Sequence, residues 1–150
     1  MGILDNLKFL MGKTDAGKPD AAAVPQTPSK KKILIVEDEP QLANALQIKL
    51  TMAGFEVILA ANGQLGLEAA QNRKPNIILL DLQMPVMDGK TVLHKLSQSP
   101  ELKDIPVVVL TNAGSVENMD ETKSYSNTGA FLIKSNVTPD EILGVVRDLI

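Results

Sequence analysis

The chain has 150 residues, 44% of them hydrophobic, with a formal net charge of -3 and no cysteine. That length supplies one core and leaves little for a second folded domain, while the near-neutral charge argues against nucleic acid as a partner and the missing cysteine excludes disulfide scaffolds and thiolate metal centres. No apolar stretch is long enough to span a bilayer and the N-terminus lacks a signal-peptide pattern, so a cytoplasmic protein without membrane insertion is expected.

Residues 1–32 form an extension of different character. Ile3, Leu4, Leu7, Leu10 and Met11 recur at helical spacing, which predicts a short amphipathic helix over 3–11. Residues 12–32 are rich in Gly, Ala, Pro, Ser and Lys and read as a flexible linker. The extension is either a docking helix for a partner or neighbouring subunit, or a tail with no such role. The globular domain is expected over 33–150.

Within it, apolar runs and helical periods alternate. Ile33 to Val36 predicts a strand, followed by a helix carrying Leu42, Ala45, Leu46 and Leu50 and stopped by Gly54. Phe55 to Ala60 predicts the second strand. The second helix, Gln64 to Arg73 with Leu65, Leu67, Ala69 and Ala70, breaks at Pro75. Asn76 to Leu80 is the third strand, Lys90 to Gln98 a helix and Val107 to Leu110 the fourth strand. A weakly patterned polar helix over Val116 to Ser126 precedes a fifth strand, Ala130 to Ile133. Thr138-Pro139-Asp140-Glu141 opens the last helix, with Thr138 as N-cap, Pro139 in the first helical position and acids in the first turn. Such alternation predicts an α/β fold: a doubly wound, five-stranded parallel sheet of order 2-1-3-4-5, with its functional crevice at the carboxyl ends of the strands.

The residues at those ends are polar. Glu37 and Asp38 follow the first strand, Asp81 the third, Thr111 the fourth and Lys134 the fifth. Three carboxylates at one mouth repel unless a cation is present, and a site of oxygen donors suits Mg2+. A carboxylate can accept a phosphoryl group to form an aspartyl-phosphate when a metal and a lysine neutralise the incoming oxygens. Singly, each residue has a plainer reading: an acid after a strand is often a helix N-cap, and a lysine there is often solvated. Four strands ending in the required types carry the argument.

The runs Ile33-Leu34-Ile35-Val36-Glu37-Asp38-Glu39-Pro40 and Asp81-Leu82-Gln83-Met84-Pro85-Val86-Met87-Asp88-Gly89, with Thr111 and Gly129-Ala130-Phe131-Leu132-Ile133-Lys134, resemble the receiver domain of bacterial two-component response regulators. The resemblance covers residues 31–150 and implies the flavodoxin-like receiver fold. It implies that Asp81 accepts a phosphoryl group from the phosphohistidine of a sensor histidine kinase or phosphotransfer protein. Mg2+ would be held by Asp38, Asp81 and the backbone carbonyl of Gln83, with Glu37 acting through a water. Lys134 would pair with a phosphoryl oxygen, Thr111 would shift inward to donate its hydroxyl, and Phe131 would be the switch aromatic. Apart from its own phosphorylation and dephosphorylation, the domain is not expected to be an enzyme. As the chain stops after the fifth helix, no output domain is expected, and the target would be a protein meeting helix four, strand five and helix five.

Two positions depart from the family pattern. Ser135 follows Lys134 where proline is usual, and a cis bond there would cost about 3 kcal/mol, which predicts a different loop. Asn112 stands where a small residue is usual. These departures leave open a pseudo-receiver that binds partners without phosphorylation. A phosphatase working through an aspartyl-phosphate would want a second acid where Gln83 stands. Other signals are set aside: Gly12-Lys13-Thr14 lacks the first glycine of a phosphate loop, Asn6 replaces the hydroxyl residue of a myristoylation start, the sequon at Asn136 has no export signal, and His94 lies on a helix face without partners for phosphotransfer. Lys30-Lys31-Lys32 reads as a solvated lead-in to the first strand.

Overall fold

A computed structural model describes residues 29–112 and 119–150. The helix expected over 3–11, nearly all of the linker after it, and the first residues of the expected fourth helix lie outside these. Parallel strands β1 (Lys32–Val36), β2 (Glu56–Ala60), β3 (Ile77–Asp81), β4 (Val107–Thr111) and β5 (Thr128–Ile133) stand in the order β2-β1-β3-β4-β5. Among the described residues they alternate with helices α1 (Pro40–Met52), α2 (Gly63–Arg73), α3 (Gly89–Gln98), α4 (Met119–Lys123) and α5 (Pro139–Leu149). No helix among them is long and apolar enough to cross a membrane.

The apolar runs are continuous because alternate side chains enter separate cores on opposite faces of the sheet. Leu34, Val36, Ile78, Leu80, Val107 and Val109 meet Ala70 of α2 and Val92, Leu93 and Leu96 of α3. Ile33, Ile35, Ile77, Leu79, Val108 and Leu110 meet Leu46 and Leu50 of α1 and Ile142, Leu143 and Val146 of α5. Each such side chain, taken fully out of water, is worth about 1.5–3 kcal/mol. A surface ion pair of Lys49 with Asp140 adds a link between α1 and α5.

The helix ends follow local chemistry. Gly54 has φ 100° just past α1, and Lys74 closes α2 with φ 45° ahead of Pro75. Asn62, Asp88 and Thr138 each accept a hydrogen bond from a first-turn N–H, capping α2, α3 and α5. Lys32 is more than a solvated lead-in: its N–H donates to Asn76 Oδ1 at 2.8 Å and its ammonium to the Arg73 carbonyl at 2.9 Å.

Several expected details differ. On α1 the buried alanine is Ala43, while Ala45 is exposed. On α2 Leu65 is 47% exposed and the buried positions are Gly63, Gly66 and Ala70. Phe55 precedes β2 and packs below the sheet with the α1 core. The described part of α4 ends at Lys123, three residues early, and the chain turns through Tyr125 into β5. β5 begins at Thr128, two residues before the apolar run, because a register shift beside Val107 accommodates Gly129.

The glycines of α2 set how closely it packs. A Cβ on Gly66 would lie 2.7 Å from both Cγ atoms of Val36, whose branched side chain has little freedom to turn away. Alanine gains about 1 kcal/mol of helix propensity, but overpacking costs about 1–3 kcal/mol. Gly66→Ala is therefore expected to lower unfolding free energy in urea by about 1 kcal/mol. In a Val36→Ala background the same change should stabilise; an equal loss in both backgrounds would show that Val36 is not the obstacle.

Candidate functional site

The carboxyl ends of four strands converge as the topology requires. Val36 pairs with Leu80, Asp81 with Leu110 and Thr111 with Ile133. Asp81 and Thr111 are the last residues of β3 and β4, Glu37 and Asp38 follow β1, and Lys134 follows β5. The crevice thus gathers the polar residues expected there.

Lys134 sits between two carboxylates. Its Nζ lies 3.0 Å from Asp81 Oδ2 and 3.0 and 2.9 Å from Glu37 Oε1 and Oε2, with Glu39 Oε1 further off at 3.6 Å. Both acids are buried, Asp81 at 1% and Glu37 at 3% exposure. Backbone donors fix them as well: the Gln83 N–H donates to Asp81 Oδ1 at 3.0 Å and the Glu39 N–H to Glu37 Oε1 at 3.1 Å.

Removal from water dominates the electrostatics. Burial pushes the Glu37 carboxyl up to about 7, against the hydrogen bond from Lys134 and with help from the Asp81 charge. Burial also raises Asp81, opposed by the Gln83 N–H and by Lys134. For Lys134, burial favours the neutral amine, but hydrogen bonds and charge from Glu37 and Asp81 outweigh it and raise the ammonium above its ordinary value.

The donor set fits a hard divalent cation. One carboxylate oxygen from each of Glu37, Asp38 and Asp81 lies within 4.8 Å of the other two. Three carboxylates face one ammonium, which leaves negative charge uncompensated. Glu37 Oε2 is buried and accepts no hydrogen bond; Lys134 at 2.9 Å offers it charge without directional bonding. Hard oxygen donors with spare acceptor capacity are what Mg2+ or a similar ion takes.

The segment after Asp81 is tightly folded. The Met87 N–H donates to the Pro85 carbonyl at 2.8 Å around Val86, whose φ is 72°, the geometry of a strained γ-turn. Asp88 then caps α3, and hydrogen bonds with Thr91 hold its carboxyl below the usual range. Gly89 has no room for a side chain, since a Cβ would lie 2.2 Å from the Asp81 carbonyl oxygen. Thr111 is fully buried and Phe131 half-buried on β5 opposite Val109, packed against the α2–α3 core. Lys134 to Asn136 form a 3-10 turn, and no peptide bond among the described residues is cis, so the chain passes from Lys134 to Ser135 by a trans bond.

Two features escaped sequence reasoning. Glu37 touches Lys134 directly, where only a water-mediated role was expected of it. Asn112, marked as a departure, donates from Nδ2 to Gln83 Oε1 at 3.1 Å across the crevice mouth. His94 is exposed, its ring 5.9 Å from that of Tyr125.

Glu37 gives a pH dependence with a defined sign. Its folded value of about 7 lies above its ordinary 4.5, so without metal its contribution to stability is full below 4.5 and is lost as pH rises through about 7. Urea unfolding in a chelator should therefore show the wild type losing stability relative to Glu37→Gln over that range. A difference that stays flat with pH would mean that Glu37 is not desolvated.

Comparison with known proteins places the chain. Residues 33–147 match the response regulator receiver domain. The chain is 33% identical over 119 residues, 79% of its length and 48% of the relative's, to the DNA-binding dual master transcriptional regulator RpaA of Synechocystis. It is 38% identical over 87 residues, 57% of the chain and 36% of the relative, to the probable transcriptional regulatory protein TcrX of Mycobacterium tuberculosis. The chain thus spans about half or less of the length of these curated relatives. The structure of the chemotaxis protein CheY4 of Vibrio cholerae superposes with a TM-score of 0.74 at 29% identity, covering 81% of this chain and 100% of that one. A putative response regulator from Chloroflexus aurantiacus also gives 0.74, at 27% identity over 81% and 98%. With a parallel sheet of the same order and an acidic crevice at its carboxyl edge, the chain belongs to the receiver domain family of two-component response regulators.

Proposed function

We propose that this receiver domain is a phosphoacceptor, with Asp81 taking a phosphoryl group from the phosphohistidine of a cytoplasmic sensor histidine kinase or phosphotransfer protein. The observation that carries this reading is the placement of Lys134 Nζ 3.0 Å from a buried Asp81 oxygen, with Glu37 and Asp38 alongside. A carboxylate oxygen of Asp81 attacks phosphorus, the donor's N–P bond breaks with its electron pair going to the departing nitrogen, and a proton on the ring's other nitrogen lets it leave as neutral imidazole. Lys134 is positioned to follow the charge onto the phosphoryl oxygens, and the Gln83 N–H holds the carboxylate while the bond forms. Asp38, Asp81, the Gln83 carbonyl and, through a water, Glu37 are the residues that would hold Mg2+, which supplies charge neutralisation when bound.

Thr111 and Phe131 are the proposed switch. Phosphorylation would draw the Thr111 hydroxyl inward, and Phe131 would follow into the space left, shifting the population of two packings. The output is a protein contact made by the face of α4, β5 and α5. The DNA binding named for the Synechocystis relative belongs to that longer protein.

Incubation with acetyl phosphate and Mg2+, followed by intact-mass measurement, tests the assignment. One phosphoryl adduct is expected on the wild type and none on Asp81→Asn, and Lys134→Ala should slow adduct formation by roughly 100-fold. A wild type that takes up no phosphoryl group would overturn the proposal, and an adduct that persists in Asp81→Asn would move the site elsewhere.

A further inference from the structure

Helix α1 turns an uncharged face to solvent. From Gln41 onward its exposed residues are Gln41, Asn44, Ala45, Ile48, Thr51 and Met52. Lys49, the one charged residue of the helix, is partly buried and pairs with Asp140 of α5. A solvated helix face normally carries charged residues, and an apolar residue exposed singly needs no explanation. Here two large ones stand together. Ile48 is 61% exposed and Met52 83%, four residues apart and so neighbours on the helix surface. With Gln47 and Thr51 they line a shallow groove of about 350 Å3.

The described chain begins beside that groove. Thr51, on its rim, also lines a second hollow of about 650 Å3 together with Ser29 and Lys30. The chain therefore enters the domain next to the C-terminal end of α1. Residues 12–28 supply a tether of Gly, Ala, Pro and polar residues. A chain of that length spans roughly 20–25 Å end to end, close to the length of α1, which at about 1.5 Å per residue is about 20 Å. Beyond the tether, outside the described residues, Ile3, Leu4, Leu7, Leu10 and Met11 share one face of a helical repeat, with Asp5, Lys8 and Phe9 outside it. An apolar stripe at that spacing is what a helical groove accepts, and no charge on the α1 face has to be stripped of water to receive it. So short a helix is marginal alone, but the tether holds it at an effective concentration on the order of millimolar, which favours its own chain over a second copy.

We propose that residues 3–11 fold back as a helix onto the exposed face of α1 in the same chain, laying their apolar stripe over Ile48 and Met52. The occupant of this surface is the N-terminal segment itself, held there by the tether. The contact is independent of the assignment of Asp81 as phosphoacceptor.

Met52 reports the contact directly, because a thioether open to solvent is oxidised to the sulfoxide and a covered one is spared. The full chain is treated with dilute hydrogen peroxide, and sulfoxide at Met52, Met84 and Met87 is followed by peptide mass. The reference is Leu7→Ser/Leu10→Ser, which alters no residue of the described domain. Met52 of the wild type is expected to oxidise roughly 5-fold more slowly than in that variant, at low and high protein concentration alike, with Met84 and Met87 unchanged. Equal Met52 rates in the two proteins overturn the proposal. Protection that appears only at high concentration, with a doubled mass in solution, also overturns it and assigns the face to a second copy. Ile48→Ser gives the reciprocal readout: the amides of residues 3–11 should exchange with deuterium faster than in the wild type, and unaltered exchange rejects the contact with α1.

Discussion

Glu37 and Asp81 are held out of water within reach of one ammonium, and the architecture follows from what it takes to bring them there. Parallel strands buried on both faces cannot place charge along their length, so charge collects where they end. The order β2-β1-β3-β4-β5 makes β1 and β3 neighbours, which sets Glu37 and Asp38 beside Asp81. β5, two strands away from β3, is still close enough for the long side chain of Lys134 to cross to both acids. The same burial that makes the arrangement costly also makes it responsive, because added or removed charge there is weakly screened.

This cluster is poor evidence for stability. Well-packed apolar groups of similar volume often match or exceed a buried ion cluster in stability. The two hydrophobic cores carry the fold, and the crevice is a local charge imbalance that they tolerate. The strain at Val86 sits in the same few residues, so unfavourable backbone and unfavourable charge are concentrated beside Asp81.

Sequence reasoning recovered the sheet order because β1, β3 and β4 are uninterrupted apolar runs, a pattern that solvent-facing strands do not show. It located Glu37, Asp38, Asp81, Thr111 and Lys134 because each ends a predicted strand. It erred where the answer depends on a neighbour rather than on a period. Ala43 and Ala45 are chemically alike, and only the angle of α1 decides which is buried. Gly63 precedes the expected second helix and Gly66 had no assigned part in it, yet their lack of side chains is what lets α2 approach. The bridge from Asn112 to Gln83 spans two loops whose relative position no local pattern encodes. The N-terminal helix expectation concerns residues outside those described.

The two glycines beside the loop after Asp81 have a mechanical consequence. A Cβ on Gly63 would meet the Met87 carbonyl oxygen at 2.1 Å, and one on Gly89 the Asp81 carbonyl oxygen at 2.2 Å, so backbone already rests on backbone on that side. The loop after Asp81 therefore has a hard wall behind it, formed by the first turns of α2 and α3. On the β4 side it meets Asn112 through side-chain amides, which rotate at little cost. The loop thus has stiff backbone contacts on its α2 and α3 side and a compliant side-chain contact on its β4 side, so it yields more easily toward β4.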